Sequence, residues 1–523
     1  MRKEDAKTGE SVFWKMGFRK KDKFLLQRSL LFTVLTGLCA HGFGILNLHV
    51  CHDALFDFYD GIAAHQHQIG LGRVLEPLYR EMTASGLLMP WSVGLTAFVW
   101  IGLAVFLVCK LLELTSRAQC FLTAGIMTVN LSVTAVTASY TPWLSADMFA
   151  MFLAVVSVGC WYGYTRKRSW KLLVLGGLSV LVSLSIYQCY IAVTVVLVIL
   201  LSIKNLLEHS KASKVFQDGI ASLGMLLSGG IVYYLFTKVM CSFMDTPLAE
   251  GYYDSVTNLW DNREPVWLRL RYCIKEEMTH FFSKDENIYP YPVIWAVNGI
   301  LFALCLYLVV CLIKKYRFLG KGEWLLLILL MTALPFAANL MRLLNTDVHD
   351  LMVYAVWLLY LVPLLLLKWT AKEKPFTGLC GLVFFFLSFI VFANIQTDNA
   401  VYVKKEVESK ATLSLMTEIM AEVEQTEGYE PGKTGITFVG QLSNLLQEVP
   451  GTECIKGISG CNKSSAITYE ETYQAYFDYV MLRDVKVVFD GQIRGAQEVQ
   501  RMPSYPQKGY VQRVEDVVVI KLE

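Results

Sequence analysis

Apolar runs close to the ~20 residues that cross a bilayer recur along this chain, and they constrain the fold more than any other feature. They fall at about 27–50, 91–113, 119–140, 142–164, 170–187, 189–204, 217–240, 291–313, 324–341, 350–368 and 377–396. The fifth and sixth are short and meet at "IYQCY". In lipid, only helices and closed barrels satisfy the backbone, and runs of this length are helical ones. The fold class is therefore an α-helical polytopic membrane protein with about eleven spans. Composition agrees: 54% of the 523 residues are hydrophobic and 18% are charged, below the ~25% charged of a soluble domain. The net charge of +2 gives no reason to expect nucleic acid as a partner.

Lysine and arginine in short connectors set orientation. Residues before the first run are rich in both, as are "TRKRSWK" (165–171), "KNLLEHSKASK" (204–214), "KKYRFLGKG" (314–322) and "KWTAKEK" (368–374). Counted from a cytoplasmic N-terminus, all of these fall on the cytoplasmic side. The stretches 51–90, 140–142, 187–190, 241–290 and 341–350 fall outside, and so does the C-terminus. No small-residue cleavage site ends the first run, so no cleavable signal peptide is expected. The stretch 11–24, "SVFWKMGFRKKDKF", fits a short interfacial helix and a disordered basic tail equally.

Three regions follow: a basic N-terminus (1–28), a multi-span domain (29–396) and a small extracytoplasmic α/β domain (397–523). In the last, 403–428 has apolar residues at helical spacing, with Val403, Val407, Ala411, Ile419 and Val423 on or near one face. The segment 469–483 reads as a second helix, and 435–440, 485–490 and 517–522 as buried strands. Cys454 and Cys461 fit a small disulfide loop and two free thiols alike, and Asn462 begins a short sequon.

Polar residues that do not suit lipid cluster at the outer ends. Asp53, Asp57 and Asp60 follow the first run, and Arg73 and Glu76 lie in the first outer loop, which suits one or two interfacial helices. On one helix His49, Asp53, Asp57 and Asp60 would share a face. Asp147 sits one to two turns into the fourth run. Tyr187 and Gln188 cap the fifth, Asn339 and Arg342 close the ninth, and Asp347, His349 and Asp350 open the tenth. Membrane-edge ionisable groups are functional candidates, and a one-sided set points to a cavity open to the outer interface. The ordinary alternatives are a solvated helix face for the aspartates and a snorkelling anchor for Arg73. His65 and His67 lack the carboxylate spacing of a metal site and read as surface residues. "SGG" at 228–230 reads as a helix-packing element.

"HDALFDFYDG" and "HQIGLGRVLEPLYR" resemble the first outer loop of integral-membrane glucosyltransferases of the glucosyl transferase II type, which decorate O-antigen and related cell-envelope polysaccharides. "WLSADMFAMFLA" (143–154), "SIYQCYIAV" (185–193), "NLMRLLNTDVHDLMVYA" (339–355), "FANIQTDNAVYVKKEVE" (392–408) and "YPQKGYVQRVEDVVVIKL" (505–522) extend the likeness over nearly the whole chain. The resemblance implies a polyprenyl-phosphate glucose donor on the outer leaflet, a surface-glycan hydroxyl as acceptor, and an acid of the first outer loop as base. Asp53 is the matching position; some members have two adjacent acids where this chain has His52 and Asp53.

Such a reaction asks for one carboxylate to take the acceptor proton and for arginine donors to receive the departing phosphate. Arg73 and Arg342 fill the second role, with His349 as a further donor; Asp147, Tyr187 and Gln188 would hold sugar hydroxyls. No cofactor and no metal is required, and no nucleotide-binding turn is evident. The expected partners are the lipid-linked donor, the glycan acceptor and membrane lipids. Two other readings stay open: an envelope oligosaccharide polymerase, with Arg263, Arg269 and Arg271 in a long outer loop, and a lipid-linked-sugar flippase, which would show internal repeats and midplane polar groups.

Overall fold

The structure is a computed structural model that describes residues 20–47, 50–55, 62–84, 89–208, 210–249, 265–282, 293–317, 319–345, 348–370, 377–461, 465–468 and 470–523. Asp57, Asp60, His49, Asp347, the Asn462 sequon and the stretch 1–19 lie outside the described residues. Among those described, nine helices are long and apolar enough to cross a membrane: Lys20–Leu46, Pro90–Leu112, Arg117–Ser139, Thr141–Lys167, Gln188–Leu207, Ala212–Phe243, Ile294–Lys315, Lys321–Ala338 and Gly378–Glu424. Two shorter apolar helices, Trp170–Ile186 and Tyr354–Thr370, stand at the fifth and tenth expected runs. The meeting point at "IYQCY" is a corner: Tyr187 is extended, and one 3-10 turn, Gln188–Tyr190, starts the next helix.

The helices form a bundle with a buried centre and an apolar outside. Arg117–Ser139 is 94% buried across its most apolar window, whereas Ala212–Phe243 and Lys321–Ala338 are 22% buried. Ile220, Leu227, Ile231, Leu235, Leu325 and Leu329 are exposed, which suits contact with acyl chains and not with water. Where no hydrophobic effect drives helices together, small residues bring backbones close. Gly229 does so: a Cβ there would meet the Gly177 carbonyl oxygen at 2.8 Å and Val180 at 2.9 Å.

The central span is broken and repaired at Asn130. Its side chain accepts from the Val133 N–H and donates to the Ile126 and Met127 carbonyls, both at 3.1 Å. Tyr354 donates to the Met127 carbonyl at 2.5 Å. Polar side chains tie this span to the first and last helices. The His41 ring bonds Tyr402 at 2.7 Å and the Thr128 carbonyl at 2.9 Å, and Thr134 donates to Asp398 at 2.5 Å. The segment "FANIQTDNAVYVKKEVE" therefore carries buried polar groups because they pair across the bundle.

The last helix, Thr377–Glu424, runs unbroken through position 396 into the C-terminal unit. There a four-stranded sheet forms in the order β2-β1-β4-β3. The strands are β1 (Gly435–Val439), β2 (Lys486–Val487), β3 (Val511–Val514) and β4 (Val517–Lys521). β1 pairs in parallel with β2 and β4, and β3 closes the edge antiparallel to β4. The three expected strands are present; β3, with Gln512 and Arg513 exposed, lacks the continuous apolar pattern that marks the others. Met416, Ile419, Met420 and Val423 pack against Ile436, Phe438, Val518 and Ile520.

The expected apolar face of this helix is only half right. Ile419 and Val423 are buried, but Val403 and Val407 are exposed, and Lys404, Lys405 and Glu408 are buried in their place. The charges are satisfied locally. Lys404 bonds Glu408 at 2.7 Å and the Cys461 carbonyl at 2.9 Å, and Lys405 bonds the Gly460 carbonyl at 3.0 Å. Gly460 has φ +84° and presses against Ala138 and Ser139, where a side chain has no room. Cys454 and Cys461 are free thiols. Removing one partner of a buried ion cluster costs ~3–5 kcal/mol. Glu408→Ala is therefore expected to destabilise the junction of bundle and sheet by about that amount, read as a lowered melting temperature, with Glu408→Gln milder.

Candidate active site

The chain from Val50 to Leu55 leaves the first helix and makes one helical turn over 52–55. Leu55 is fully buried in the core of the C-terminal unit, and Val50 packs against the same core. Between them, Cys51 donates to the Ser139 carbonyl. Burial, then the charge of Asp53, pushes the Cys51 thiol up to about 11, so it stays neutral. Asp53 is thus held from both sides while its carboxylate stays partly open, 22% exposed, with the His52 ring at 3.0 Å.

Tyr140 bonds the Asp53 carboxylate; burial, then the Asp53 charge, raises the phenol above its ordinary value and keeps it a donor. Its ring packs on Trp143 at 4.8 Å. From the first loop, Arg73 reaches the same place. Its guanidinium lies 4.7 Å from the Tyr187 ring centroid and donates to Gln68 at 3.1 Å. Asp147, in the first turn of its helix and buried, is within electrostatic range of Arg73. Arg73, Glu76, Tyr140, Trp143, Asp147 and Tyr187 line one narrow cleft with about 20 Å³ of free space, room for roughly one water. The Arg73 Nε is buried there with no hydrogen-bond partner among the described residues.

The loop is positioned by its backbone. The Leu75 N–H bonds the Ser185 carbonyl at 2.8 Å. Gln188 donates through Nε2 to the Leu71 carbonyl and to the Tyr233 hydroxyl, both at 2.8 Å. Gly72 has φ +82° and lies against both of those side chains, so only glycine fits before Arg73. Two loop helices follow the expectation, Ile62–Gly70 and Glu76–Ala84. Glu76 is buried and paired with Arg80 at 3.1 Å.

Of the residues singled out from sequence, Asp53, Arg73, Asp147 and Tyr187 come together. Gln188 does not line the cleft; it clasps the Arg73 loop. Arg342 and His349 belong to a neighbouring cluster. Arg342 pairs with Glu276 at 3.3 Å, on the helix Val266–Phe282. Beside it Glu277 accepts from Asn339 at 2.5 Å. Burial pushes the Glu277 carboxyl up to about 7, against the opposing pull of Asn339 and Arg342. Burial, then the Arg342 charge, lowers His280 to about 4. Arg342 and His349 both lie within electrostatic range of Asp350, whose neighbour Leu351 reaches the cleft. The Asp350 carboxylate accepts from the Ser459 N–H at 3.3 Å. Charge and spacing do not mark out Tyr140, Trp143 or Lys405, although Trp143 and Lys405 lie in two of the stretches that carry the family resemblance. "SYTPW" looks like an ordinary span corner, and Lys405 sits in a run of charge that reads as solvated. No group of three or more metal-ligating side chains occurs among the described residues.

The cleft and the Arg342 cluster thus lie at the end of the helical bundle that meets the α/β unit. The chain belongs to the glucosyl transferase GtrII family, whose model matches residues 42–360. It is therefore a glycosyltransferase. No curated protein matches it. The matched stretch contains Asp53, the cleft and the Arg342 cluster, and ends before the last helix and the sheet.

Glu277 sets a pH dependence. Its folded pKa lies above the ordinary carboxylate value, so the native state binds the extra proton between the two. The stability this gives is complete below the ordinary value and is lost as pH rises through about 7. Melting temperatures from pH 5 to pH 8 are expected to fall less steeply in Glu277→Gln than in the parent protein.

Proposed function

We propose that the protein transfers a hexose, glucose by family, from a polyprenyl-phosphate carrier to a hydroxyl of a cell-surface polysaccharide. The cleft end of the bundle and the α/β unit face the outside, and the N-terminus is cytoplasmic. Basic connectors at the opposite end support this orientation. The observation that carries the reading is the buried Arg73 Nε, without a partner among the described residues, in the cleft lined by Tyr140, the phenol that bonds Asp53. A buried donor without an acceptor is costly, and a phosphate oxygen is the acceptor that a guanidinium fits best.

In this reaction the acceptor O–H loses its proton to the Asp53 carboxylate as the oxygen bonds to the sugar C1. The bond from C1 to the phosphate oxygen breaks, and the carrier leaves as polyprenyl monophosphate. One displacement with one base inverts the anomeric centre. Tyr140 orients the Asp53 carboxylate. Arg73 takes the charge that grows on the leaving phosphate. Asp147 and Tyr187 stand where sugar hydroxyls would be held, and Gln188 keeps the Arg73 loop in place. Arg342 and His349, beside Glu276 and Asp350, form a second charged group, where the carrier phosphate would exchange with these carboxylates on its way to the cleft. The prenyl tail stays among the exposed apolar helices, which is why the site belongs at the membrane edge. The cleft must widen to admit a hexose.

The test is transfer from polyprenyl-phosphate glucose to glycan in purified proteoliposomes. Losing a general base costs ~10²–10⁴ in rate, so Asp53→Asn is expected to lose about that much. Asp57→Asn and Asp60→Asn are expected to keep most activity. Full activity in Asp53→Asn removes Asp53 as the base.

A further inference from the structure

The C-terminal unit holds a second cavity, apart from the cleft and outside the residues 42–360 that the family model matches. Its volume is about 410 Å³, within the ~300–1,000 Å³ of small-molecule sites. It opens at the C-terminal ends of the parallel strands β1 and β2, between Gln441 and Phe489 on one side and Thr468 and Glu471 on the other. Open α/β sheets bind ligands at this edge, because the loops that follow parallel strands leave a crevice there.

The lining has two characters. Phe438 and Tyr473 stack at 4.0 Å to form an aromatic floor, and Phe489 stands 38% exposed at the rim. Around them are a carboxamide (Gln441), a carboxylate (Glu471), a guanidinium (Arg494) and a hydroxyl (Thr468). The Thr468 Oγ1 is buried without a hydrogen-bond partner among the described residues. One acid and one base give no bias toward anions or cations. Flat apolar faces ringed by neutral groups and by one charge of each sign match a ligand with C–H faces and hydroxyl edges, which is a sugar ring.

The cavity is also tied to the catalytic end. Its wall at Ile467 and Thr468 continues the segment whose Gly460 and Cys461 carbonyls bind Lys405 and Lys404, and whose Gly460 rests on Ser139. Cys51, two residues before Asp53, bonds that same Ser139. At ~3.3–3.6 Å per residue, the chain from Cys461 to Thr468 keeps the cavity within about 25 Å of that turn. An oligosaccharide of several units covers such a span.

We propose that this cavity binds a sugar unit of the polysaccharide, away from the hydroxyl that reacts. The identification of that glycan as the acceptor rests on the reaction proposed above. Binding remote from the reacting centre then supplies energy for positioning it, and a glycan held at two points meets Asp53 at a raised effective concentration.

The test uses the full-length protein in lipid nanodiscs. The probe is oligosaccharide cut from the envelope polysaccharide of the cells that make the protein, and binding is read by saturation-transfer NMR. The parent protein and Asp53→Asn are expected to bind it alike. Phe489→Ala and Thr468→Val are expected to bind at least about five-fold more weakly, a loss in the range of one hydrogen bond or one stacking contact. Thr468→Val removes an unpaired hydroxyl and is expected to melt no lower than the parent, which separates lost binding from lost folding. In transfer assays both variants are expected to raise the KM for long glycan. Equal binding by the parent and both variants overturns the proposal, and so does a parent protein that binds none of the oligosaccharide. Failure of the proposed reaction reads differently: oligosaccharide bound at the cavity without transfer of glucose leaves the sugar site standing and removes its role as acceptor site.

Discussion

The grip of the C-terminal unit on the first loop decides where Asp53 sits. Leu55 is buried in the core of a sheet formed more than 380 residues later in the chain, and burial of one leucine is worth ~1.5–3 kcal/mol. Opposite it, the Gly460–Cys461 turn rests on the end of the helix Leu131–Ser139 and is held by two buried lysines. The carboxylate between these anchors has little freedom left. A base that must meet a hydroxyl within hydrogen-bond reach gains from that rigidity.

This grip changes what the small α/β unit is for. The family model matches residues 42–360, yet the sheet beyond them fixes the first acidic residue inside that match. The unbroken helix Thr377–Glu424 makes the connection stiff, because its lower half pairs with the bundle through Asp398 and Tyr402 and its upper half carries the sheet. The unit is thus a structural part of the end that holds the candidate site, as well as the holder of a cavity of its own.

Much of the bundle was legible because lipid is a demanding solvent. Runs of about 20 apolar residues with basic flanks fit little besides helices that cross a bilayer, and the corner at Gln188 falls where two such runs meet. Of the candidate site, Arg73 and Asp147 were legible as charge in an apolar context, whereas Asp53 stood among three aspartates and only the family resemblance singled it out. Tyr140 and Trp143 were hidden because aromatics at a span end are common at membrane interfaces. Lys404, Lys405 and Glu408 read as a solvated face because the lysines' partners include backbone carbonyls of a turn more than 50 residues away, which no local pattern reports. Arg342 was grouped with Arg73 by its place at an outer end, but Glu276 and the helix Val266–Phe282 draw it into a different neighbourhood.

The central claim is that Arg73 and Asp53 work on one lipid-linked sugar from opposite sides of its anomeric carbon. A structure with polyprenyl-phosphate glucose bound tests it most directly. The account predicts the phosphate within hydrogen-bond distance of the Arg73 guanidinium, with C1 of the sugar turned toward Asp53 and the prenyl chain against the exposed helix faces. A phosphate held at the opposite end of the bundle, or a sugar bound with Asp53 out of reach of its C1 side, would contradict it.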